Sequence, residues 1–146
     1  MPMSPPAERY AYLRAECVNR GLRLTPQRDV LLRALSDAGG GHPTADDLVR
    51  RVRRVLPTVS HATVYRNLQD LVREGLIRTL DLAGEAVQFE VNPDEHHHFV
   101  CRKCGGVWDI YLSSVDVRVN RRRTDIDGFQ VDRREVQLHG LCAACR

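Results

Sequence analysis

Four of the five cysteines occur as two C-x2-C pairs, a spacing that is typical of a metal site. Cys101 and Cys104 form the first pair, Cys142 and Cys145 form the second, and 37 residues separate the pairs. Each pair can direct two thiolates at one ion, and four thiolates at about 2.3 Å give Zn2+ a closed tetrahedral site with no open position for water. We therefore predict a structural zinc site, with two disulfides, a redox pair or an iron site as the alternatives.

A second group of candidate ligands combines histidines with carboxylates and contains no cysteine. The segment FEVNPDEHHHFVC carries Glu90, His96 and His98, and Asp109 follows on a predicted strand. His96 and His98 alternate with His97, so they share one face if this segment is extended. Imidazole and carboxylate ligands suit Fe2+, Mn2+ or Zn2+, whereas the alternative is a solvated turn without a metal. A zinc enzyme with Glu90 or Asp109 as general base is a further alternative, although the sequence has no HExxH motif.

The elements that must position the histidine group begin with helices. Capping residues predict helices from Thr25 to Gly39, from Thr44 to Arg54 and from Ser60 to Gly75, after an earlier helix over about residues 6–20. The period of the apolar residues then changes to two, which predicts strands over LIRTLDL and AVQFEV with a turn at Ala83–Gly84. Helices followed by a two-stranded hairpin are the element order of a winged helix, in which the helix before the hairpin enters the DNA major groove.

The cysteines belong to a smaller C-terminal part of the chain, beyond a predicted hinge at Asn92–Glu95. HFVC and VWDIYL are predicted strands around the first cysteine pair, residues of about 114–124 are a predicted helix, and FQVDRREVQLHG returns as one or two strands. This part has few large apolar residues, and a unit of roughly 50 residues usually needs a metal or a partner chain for stability. The predicted fold class is α+β, with a winged helix before this small unit.

The composition excludes several classes of protein. The chain has 146 residues, 42% of them hydrophobic and 28% charged, with 22 cationic and 19 anionic side chains and a net charge of +3. These values are close to those of globular proteins, and no apolar run approaches the ~20 residues of a membrane helix. The N-terminus has no signal-peptide pattern, so we expect a cytoplasmic protein without membrane contact. The mild positive charge permits nucleic-acid binding without requiring it, and Cys17 is expected to fill the core.

Five segments resemble one protein family in both order and spacing. They are RLTPQR at residues 23–28, HPTADDL at 42–48, ATVYRNLQDLVREGLI at 62–77, HHHFVCRKCG at 96–105 and LCAAC at 141–145. Together they resemble the ferric uptake regulator family over nearly the whole chain. The resemblance implies a homodimeric, metal-responsive transcriptional repressor that is not an enzyme. It also implies a winged-helix DNA-binding domain at residues 1–92, an α/β dimerisation and metal-binding domain at 93–146, and a palindromic operator that controls metal-uptake or oxidative-stress genes.

Carried over by position, the resemblance implies roles for individual residues. The structural zinc falls on Cys101, Cys104, Cys142 and Cys145. The regulatory metal falls on His42, Glu90, His96, His98 and Asp109. Without the resemblance, His42 would be more typical of an exposed loop, because it follows three glycines.

The resemblance also implies DNA contacts and a third site. The DNA contacts fall on Tyr65 and Arg66, with Thr63, Gln69 and Arg28 as secondary candidates. Core packing is the alternative for Tyr65. The third metal site of some family members falls on Glu95, His97, Asp116 and Arg134. We predict that this site is absent, because a guanidinium cannot be a metal ligand, and His97 is then expected to be exposed.

The identity of the sensed metal depends on a few positions. The resemblance implies that peroxide-sensing members usually have Asp at the position of Glu90, and that iron drives oxidation of histidines at the positions of His42 and His96. Zinc-sensing members tend to place a cysteine in this region, and here none lies between Cys17 and Cys101. We therefore expect Mn2+ or Fe2+, with peroxide sensing or zinc sensing as the alternatives within the family. The Irving–Williams order still allows Zn2+ to bind more tightly in vitro.

Overall fold

The chain folds into two units, Met1–Pro93 and Asp94–Arg146, in a computed structural model. The structure describes residues 5–81, 86–92, 94–120, 122 and 125–146. The described elements of the first unit are α1 Pro6–Asn19, α2 Pro26–Ala38, a 3-10 turn Gly39–Gly41, α3 Ala45–Arg53, α4 His61–Arg73, β1 Arg78–Leu80 and β2 Gln88–Glu90. This order, with α4 directly before the two strands, confirms the winged-helix arrangement predicted from the sequence.

Hydroxyl side chains determine where three of these helices begin. Thr25, Thr44 and Ser60 each have an extended backbone and accept a hydrogen bond from the backbone N–H three residues later. The Asp47 carboxylate in turn accepts from the backbone N–H of Thr44 at 3.0 Å, which completes a capping box. Such a cap satisfies a helix N–H that has no partner within the helix, and it contributes about 1 kcal/mol. The starts of α2, α3 and α4 are therefore encoded locally, as predicted.

The inward faces of the helices form the hydrophobic core of the first unit. Leu31 and Leu35 of α2, Leu48 of α3 and Leu68 of α4 are buried there. Full burial of a leucine side chain contributes roughly 1.5–3 kcal/mol, so this core holds α4 firmly against α2 and α3. Cys17 of α1 lies in the same core, as predicted, and burial raises the pKa of its thiol.

The two strands of the first unit are short and antiparallel. Arg78 of β1 lies opposite Glu90 of β2. The predicted strands are longer, and their predicted turn at Ala83–Gly84 lies outside the described residues. Phe89 packs into the core, and Glu90, as the next residue in a strand, points to the opposite face. Glu90 is nevertheless only 3% exposed, and it lies beside His42 and Arg78.

The second unit contains a three-stranded sheet. Strand β3, His97–Cys101, lies in the centre of this sheet. Strand β4, Val107–Ile110, pairs with it antiparallel, and strand β5, Gln137–Gly140, pairs with it parallel. A parallel pair needs a long connection, which explains why so many residues separate the two cysteine pairs.

One predicted element of the second unit is wrong. The sequence predicts a helix over about 114–124, but residues 114–120 and 122 are not helical. Val115, Val117 and Val119 alternate with polar residues. A period of two with β-branched side chains favours extended backbone over helix, so the correct signal was present in the sequence.

The mixed fold class is confirmed, with helices in the first unit and a sheet in the second. Within the part of the chain that the structure describes, no helix combines the length and the apolar character needed to cross a bilayer.

Candidate metal centres and nucleic-acid interface

The two cysteine pairs meet at one end of the sheet in the second unit. Cys101 ends β3 and Cys142 follows β5, and because these strands are parallel, their carboxyl ends lie side by side. The four sulfur atoms, those of Cys104 and Cys145 included, lie within 4.8 Å of one another. The Sγ atoms of Cys104 and Cys142 are 3.8 Å apart. A tetrahedron with metal–sulfur bonds of about 2.3 Å has edges of about 3.8 Å, so the sulfurs are spaced as ligands of one ion.

Backbone amides around the first cysteine pair favour the thiolate form. Gly105 has a φ of +70°, which glycine adopts without a steric penalty, and its N–H donates to the Cys101 carbonyl at 2.9 Å. The N–H of Cys142 donates to Cys101 Sγ at 3.4 Å. Amide donors from Cys104 and Cys142 lower the pKa of the Cys101 thiol to about 6. These amides therefore stabilise the deprotonated sulfur of Cys101, and the thiolate is the form that binds metals.

In the first unit, His42 and Glu90 form a pair of candidate ligands. His42 follows the Gly39–Gly41 turn with a φ of +44°, an uncommon conformation for a residue with a side chain. The N–H of Phe89 donates to the Pro43 carbonyl at 2.9 Å, so the segment after His42 runs beside β2. His42 Nε2 and Glu90 Oε1 are 3.8 Å apart, and both side chains are 2% exposed. The structure thus contradicts the interpretation of His42 as an exposed loop histidine.

In the second unit, two histidines face one aspartate. His98 of β3 lies opposite Asp109 of β4 in the antiparallel register, and His96 lies two residues earlier in the chain. The Nε2 atoms of His96 and His98 are 3.7 and 3.8 Å from Asp109 Oδ1. These separations are too long for hydrogen bonds, but they fall within the range of about 3–4 Å between two ligands that each lie roughly 2.1 Å from one ion. Both histidines are buried, which contradicts the alternative of a solvated turn.

The other ring nitrogen of each histidine is held by an oxygen acceptor outside this group. His96 Nδ1 donates to the Asp94 carbonyl at 2.7 Å, and His98 Nδ1 donates to Glu135 Oε1 at 3.1 Å. A proton on Nδ1 makes Nε2 the lone-pair nitrogen, and an outer hydrogen bond of this kind usually accompanies a metal-binding histidine. Sequence reasoning misses Glu135, which lies 37 residues beyond His98 and carries no local signal. Only the pairing of β5 with β3 brings it there.

Each unit therefore carries a group of candidate ligands for a divalent cation. The first unit offers one imidazole and one carboxylate, from His42 and Glu90. The second offers two imidazoles and one carboxylate, from His96, His98 and Asp109. Neutral imidazole and carboxylate oxygen together fit Fe2+, Mn2+ or Zn2+, so the residues present suit a bound divalent ion.

The residues of the third family site have other surroundings. His97 is buried, and its Nδ1 accepts a hydrogen bond from the N–H of Val136 at 3.3 Å. The expectation that His97 is exposed is therefore wrong, because its ring is buried and accepts a backbone hydrogen bond. Glu95, His97 and Arg134 line a cavity of about 250 Å3, whereas Asp116 is not among its lining residues. The positive charge of Arg134 disfavours a cation in this cavity.

Helix α4 has one face in the core and one face exposed. Its apolar positions Val64, Leu68 and Leu71 are buried. Tyr65 is 43% exposed, which contradicts core packing of its ring. Arg66 and Gln69 are also exposed, and Thr63 is half-buried near the start of the helix. A helix with exposed donor and aromatic side chains in its N-terminal half can present them to base edges in the major groove.

Arg28, a secondary DNA candidate, occupies a different position. Its guanidinium donates to Asp70 Oδ2 of α4 and to the Arg23 carbonyl, in both cases at 2.7 Å. The side chain is 9% exposed. Because both bonds are intramolecular and the side chain is buried, Arg28 connects α2 to α4 and is not available to a DNA phosphate. The position of Arg28 in the TPQR segment suggests a DNA contact, and the burial of its side chain contradicts this expectation.

The chain is similar to regulators of known function along most of its length. The family model described as "Ferric uptake regulator family" matches residues 19–139. A ferric uptake regulation protein of Synechococcus elongatus is 33% identical over 139 residues, which cover 93% of this chain and 94% of the relative. A peroxide operon regulator of Bacillus subtilis is 32% identical over 125 residues, which cover 86% of this chain and 85% of the relative. A solved structure of a zinc-bound manganese uptake regulator matches with a TM-score of 0.66 at 28% identity, over 89% of this chain and 98% of that one. The chain therefore belongs to the ferric uptake regulator family of metal-responsive, DNA-binding transcriptional repressors, which are not enzymes.

Proposed function

We propose that this repressor is switched by one divalent ion that the two units bind jointly. The first unit supplies His42 and Glu90, and the second supplies His96, His98 and Asp109. The observation that carries the proposal is the orientation of His96 and His98, whose Nδ1 atoms donate to oxygen acceptors while their Nε2 atoms face Asp109. Two buried imidazoles with this proton arrangement and a carboxylate between them are suited to a metal ion.

The ion acts as a switch because its ligands lie on both sides of the hinge. Residues 1–92 are the DNA-binding domain and residues 93–146 are the dimerisation and metal-binding domain. The ion shifts the equilibrium between their orientations only through its higher affinity for the orientation that binds DNA. In the homodimer, both winged helices then reach the half-sites of a palindromic operator, about one helical turn apart. We propose double-stranded operator DNA as the partner of the protein and the cytoplasm as the compartment in which it acts.

A Zn2+ ion at Cys101, Cys104, Cys142 and Cys145 holds the second unit together. Soft thiolate ligands favour Zn2+ over Mn2+, and four of them leave no open position for catalysis. Among the described residues of this unit, Cys101 is the only fully buried apolar side chain. The unit therefore lacks an ordinary core, and metal binding supplies free energy for its folding.

The second unit also forms the interface of the homodimer. Val117, Phe129 and Val131 are 54%, 72% and 65% exposed. Exposed apolar side chains in such number are typical of an interaction surface. A second copy of the chain covers them in a two-fold symmetric contact, the commonest arrangement of soluble homo-oligomers. Sedimentation of the zinc-loaded protein tests this point, and a monomer at micromolar concentration would contradict it.

The DNA contacts are Tyr65 and Arg66 of α4, with Thr63 and Gln69 beside them. The Tyr65 ring contacts a thymine methyl group, and Arg66 binds a phosphate or a guanine edge. The regulated genes concern metal uptake or oxidative stress, in keeping with the iron and peroxide regulators among the relatives.

The regulatory ion is Mn2+ or Fe2+, and Zn2+ can replace it in vitro. Peroxide sensing is the second candidate, because the relative from Bacillus subtilis is a peroxide operon regulator. Treatment of the Fe2+-loaded protein with hydrogen peroxide distinguishes peroxide sensing from metal sensing alone. A gain of one oxygen atom at His42 or His96, found by mass spectrometry, would favour peroxide sensing. Unmodified histidines would favour metal sensing alone.

DNA binding by the purified dimer, with and without Mn2+, tests the switch. The DNA is selected from a random double-stranded pool, and the cysteine-bound zinc is verified in every sample because its loss could unfold the second unit. We expect tight binding only with Mn2+, and loss of this dependence in His96→Ala. The matched control is His139→Ala, since His139 is exposed and belongs to none of the described ligand groups. Equal affinity with Mn2+ and with chelator, at unchanged zinc content, would refute the switch.

A further inference from the structure

We infer that Arg78 weakens ion binding at the regulatory site and so sets the metal concentration at which the repressor responds; this rests on the proposed function above. Arg78 of β1 lies directly opposite Glu90 of β2. Its Nε is 3.4 Å from Glu90 Oε2. The other carboxylate oxygen, Oε1, faces His42 Nε2 at 3.8 Å. The Glu90 carboxylate thus has the candidate ligand His42 beside one oxygen and the cationic Arg78 beside the other.

The Arg78 guanidinium is anchored at this position. Its Nη2 donates to the carbonyl of Asn92 at 2.6 Å, two residues beyond Glu90 in the chain. The Arg78 side chain is 33% exposed, whereas that of Glu90 is 2% exposed. Because one hydrogen bond anchors Arg78 at the Asn92 carbonyl, its positive charge stays beside Glu90 when an ion binds at Oε1. Arg78 is not itself a ligand, since a guanidinium has no lone pair to offer.

Arg78 has two opposite effects on the affinity for an ion. As a partner of Glu90 it orients the carboxylate, and a partly exposed ion pair of this kind accounts for less than about a fivefold gain in affinity. As a cation it repels a divalent ion at Oε1, roughly 5 Å away, and this weakens binding by about tenfold even at the dielectric constant of water. Repulsion is therefore the larger effect. It increases further as burial lowers the local dielectric constant.

Arg78 therefore lowers the affinity of the regulatory site for a divalent ion without changing the ligands of that ion. A regulator must release its ion when the cellular concentration falls, because an ion bound too tightly would keep the repressor loaded at all times. Arg78 also compensates the charge of the buried Glu90 carboxylate while no ion is bound, which stabilises the released state. The repulsion of the ion and the stabilisation of the ion-free state both raise the metal concentration at which the repressor responds.

Mn2+ titration of the full-length, zinc-loaded protein tests the inference, with free Mn2+ measured by electron paramagnetic resonance. We expect Arg78→Gln to bind Mn2+ about tenfold more tightly than the wild type. Arg78→Lys keeps the charge and should stay within about threefold of the wild type. The matched control is Arg50→Gln, which removes the same net charge from an exposed arginine of α3 that pairs with Asp47. It should bind Mn2+ like the wild type at physiological ionic strength.

Thermal unfolding gives a second measurement that does not depend on repressor activity. Without Mn2+, Arg78→Gln should unfold at a lower temperature, because the Glu90 carboxylate has lost a neighbouring cation. Added Mn2+ should raise its unfolding temperature by more than that of the wild type, since tighter binding stabilises more. If this variant does not fold, Arg78→Met, which retains the aliphatic stem, takes its place.

The outcomes separate this inference from the proposed function. Mn2+ binding by Arg78→Gln that is equal to or weaker than that of the wild type overturns the inference. The proposed function survives that result if His96→Ala abolishes Mn2+ binding. If the wild type shows no His96-dependent Mn2+ binding, both the inference and the proposed function are overturned.

Discussion

Replacing Arg28 by methionine distinguishes a structural role from the DNA contact that its position in the sequence suggests. Arg28 Nη2 donates to Asp70 Oδ2 at 2.7 Å, and the two side chains are 9% and 22% exposed. Removal of one partner from a buried ion pair costs about 3–5 kcal/mol, because the other charge is left uncompensated. Asp70 is partly solvated and also accepts a hydrogen bond from Arg73 at 2.6 Å. We therefore expect a smaller loss of stability, about 2–3 kcal/mol.

Far-UV circular dichroism of the purified protein during heating measures this effect, since the described helices all lie in the first unit. A loss of 2–3 kcal/mol corresponds to a fall in Tm of about 5–10 °C for a chain of this size. Arg28→Lys keeps the charge but cannot make both hydrogen bonds, so its Tm should be intermediate. Arg66→Met is the matched control, because Arg66 is exposed on α4. It should keep the wild-type Tm and lose DNA affinity.

The two explanations therefore predict different behaviour for Arg28→Met and the same behaviour for Arg66→Met. If Arg28→Met has the Tm of the wild type and loses DNA affinity as Arg66→Met does, then Arg28 contacts DNA and its ion pair with Asp70 is unimportant. If it loses stability but binds DNA normally while folded, the structural role is supported.

Three further predictions concern other parts of the chain. Glu135→Ala should weaken Mn2+ binding by about tenfold or more without loss of the cysteine-bound zinc, because His98 loses the acceptor at its Nδ1; unchanged Mn2+ affinity in the same titration would contradict this role. Cys104→Ser should lose zinc and the dimer together, since we propose that a zinc ion replaces a core in the second unit; a variant that sediments as a dimer without zinc would disprove the dependence. The pKa of Asp47 is lowered, chiefly by the backbone N–H of Thr44, so its ionised form stabilises the fold at neutral pH and this contribution is lost as the pH falls below about 4. Asp47→Asn should remove that part of the pH dependence of Tm, and parallel Tm curves for variant and wild type would rule the explanation out.

The helix starts could be predicted because their causes are local. Thr25, Thr44 and Ser60 each cap a helix through a bond to a residue three positions away, so a short window of sequence contains both partners. The same holds for the cysteine pairs, whose ligands lie close together in the chain before it folds. The predicted helix over about 114–124 is wrong because Val115, Val117 and Val119 alternate with polar residues, a period of two that favours extended backbone.

The candidate ligands could be chosen from the sequence, but their surroundings could not. His96 and His98 share a face by simple alternation, and this requires only an extended backbone. The burial of His97 and the bond from His98 to Glu135 both depend on β5 lying beside β3. The pairing of β3 with β5 joins residues almost forty positions apart, so the periodicity of a single segment cannot predict it.

The amino-acid sequence by itself determined the order of helices and strands in the first unit, the two C-x2-C pairs and the types of side chain that can bind a divalent ion, because each depends on residue chemistry and short spacings. Tertiary structure alone decided that Arg28 pairs with Asp70 and that Arg78 stands beside Glu90. Charge effects of this kind depend on distance and burial. Both are known only once segments remote in the chain have packed together.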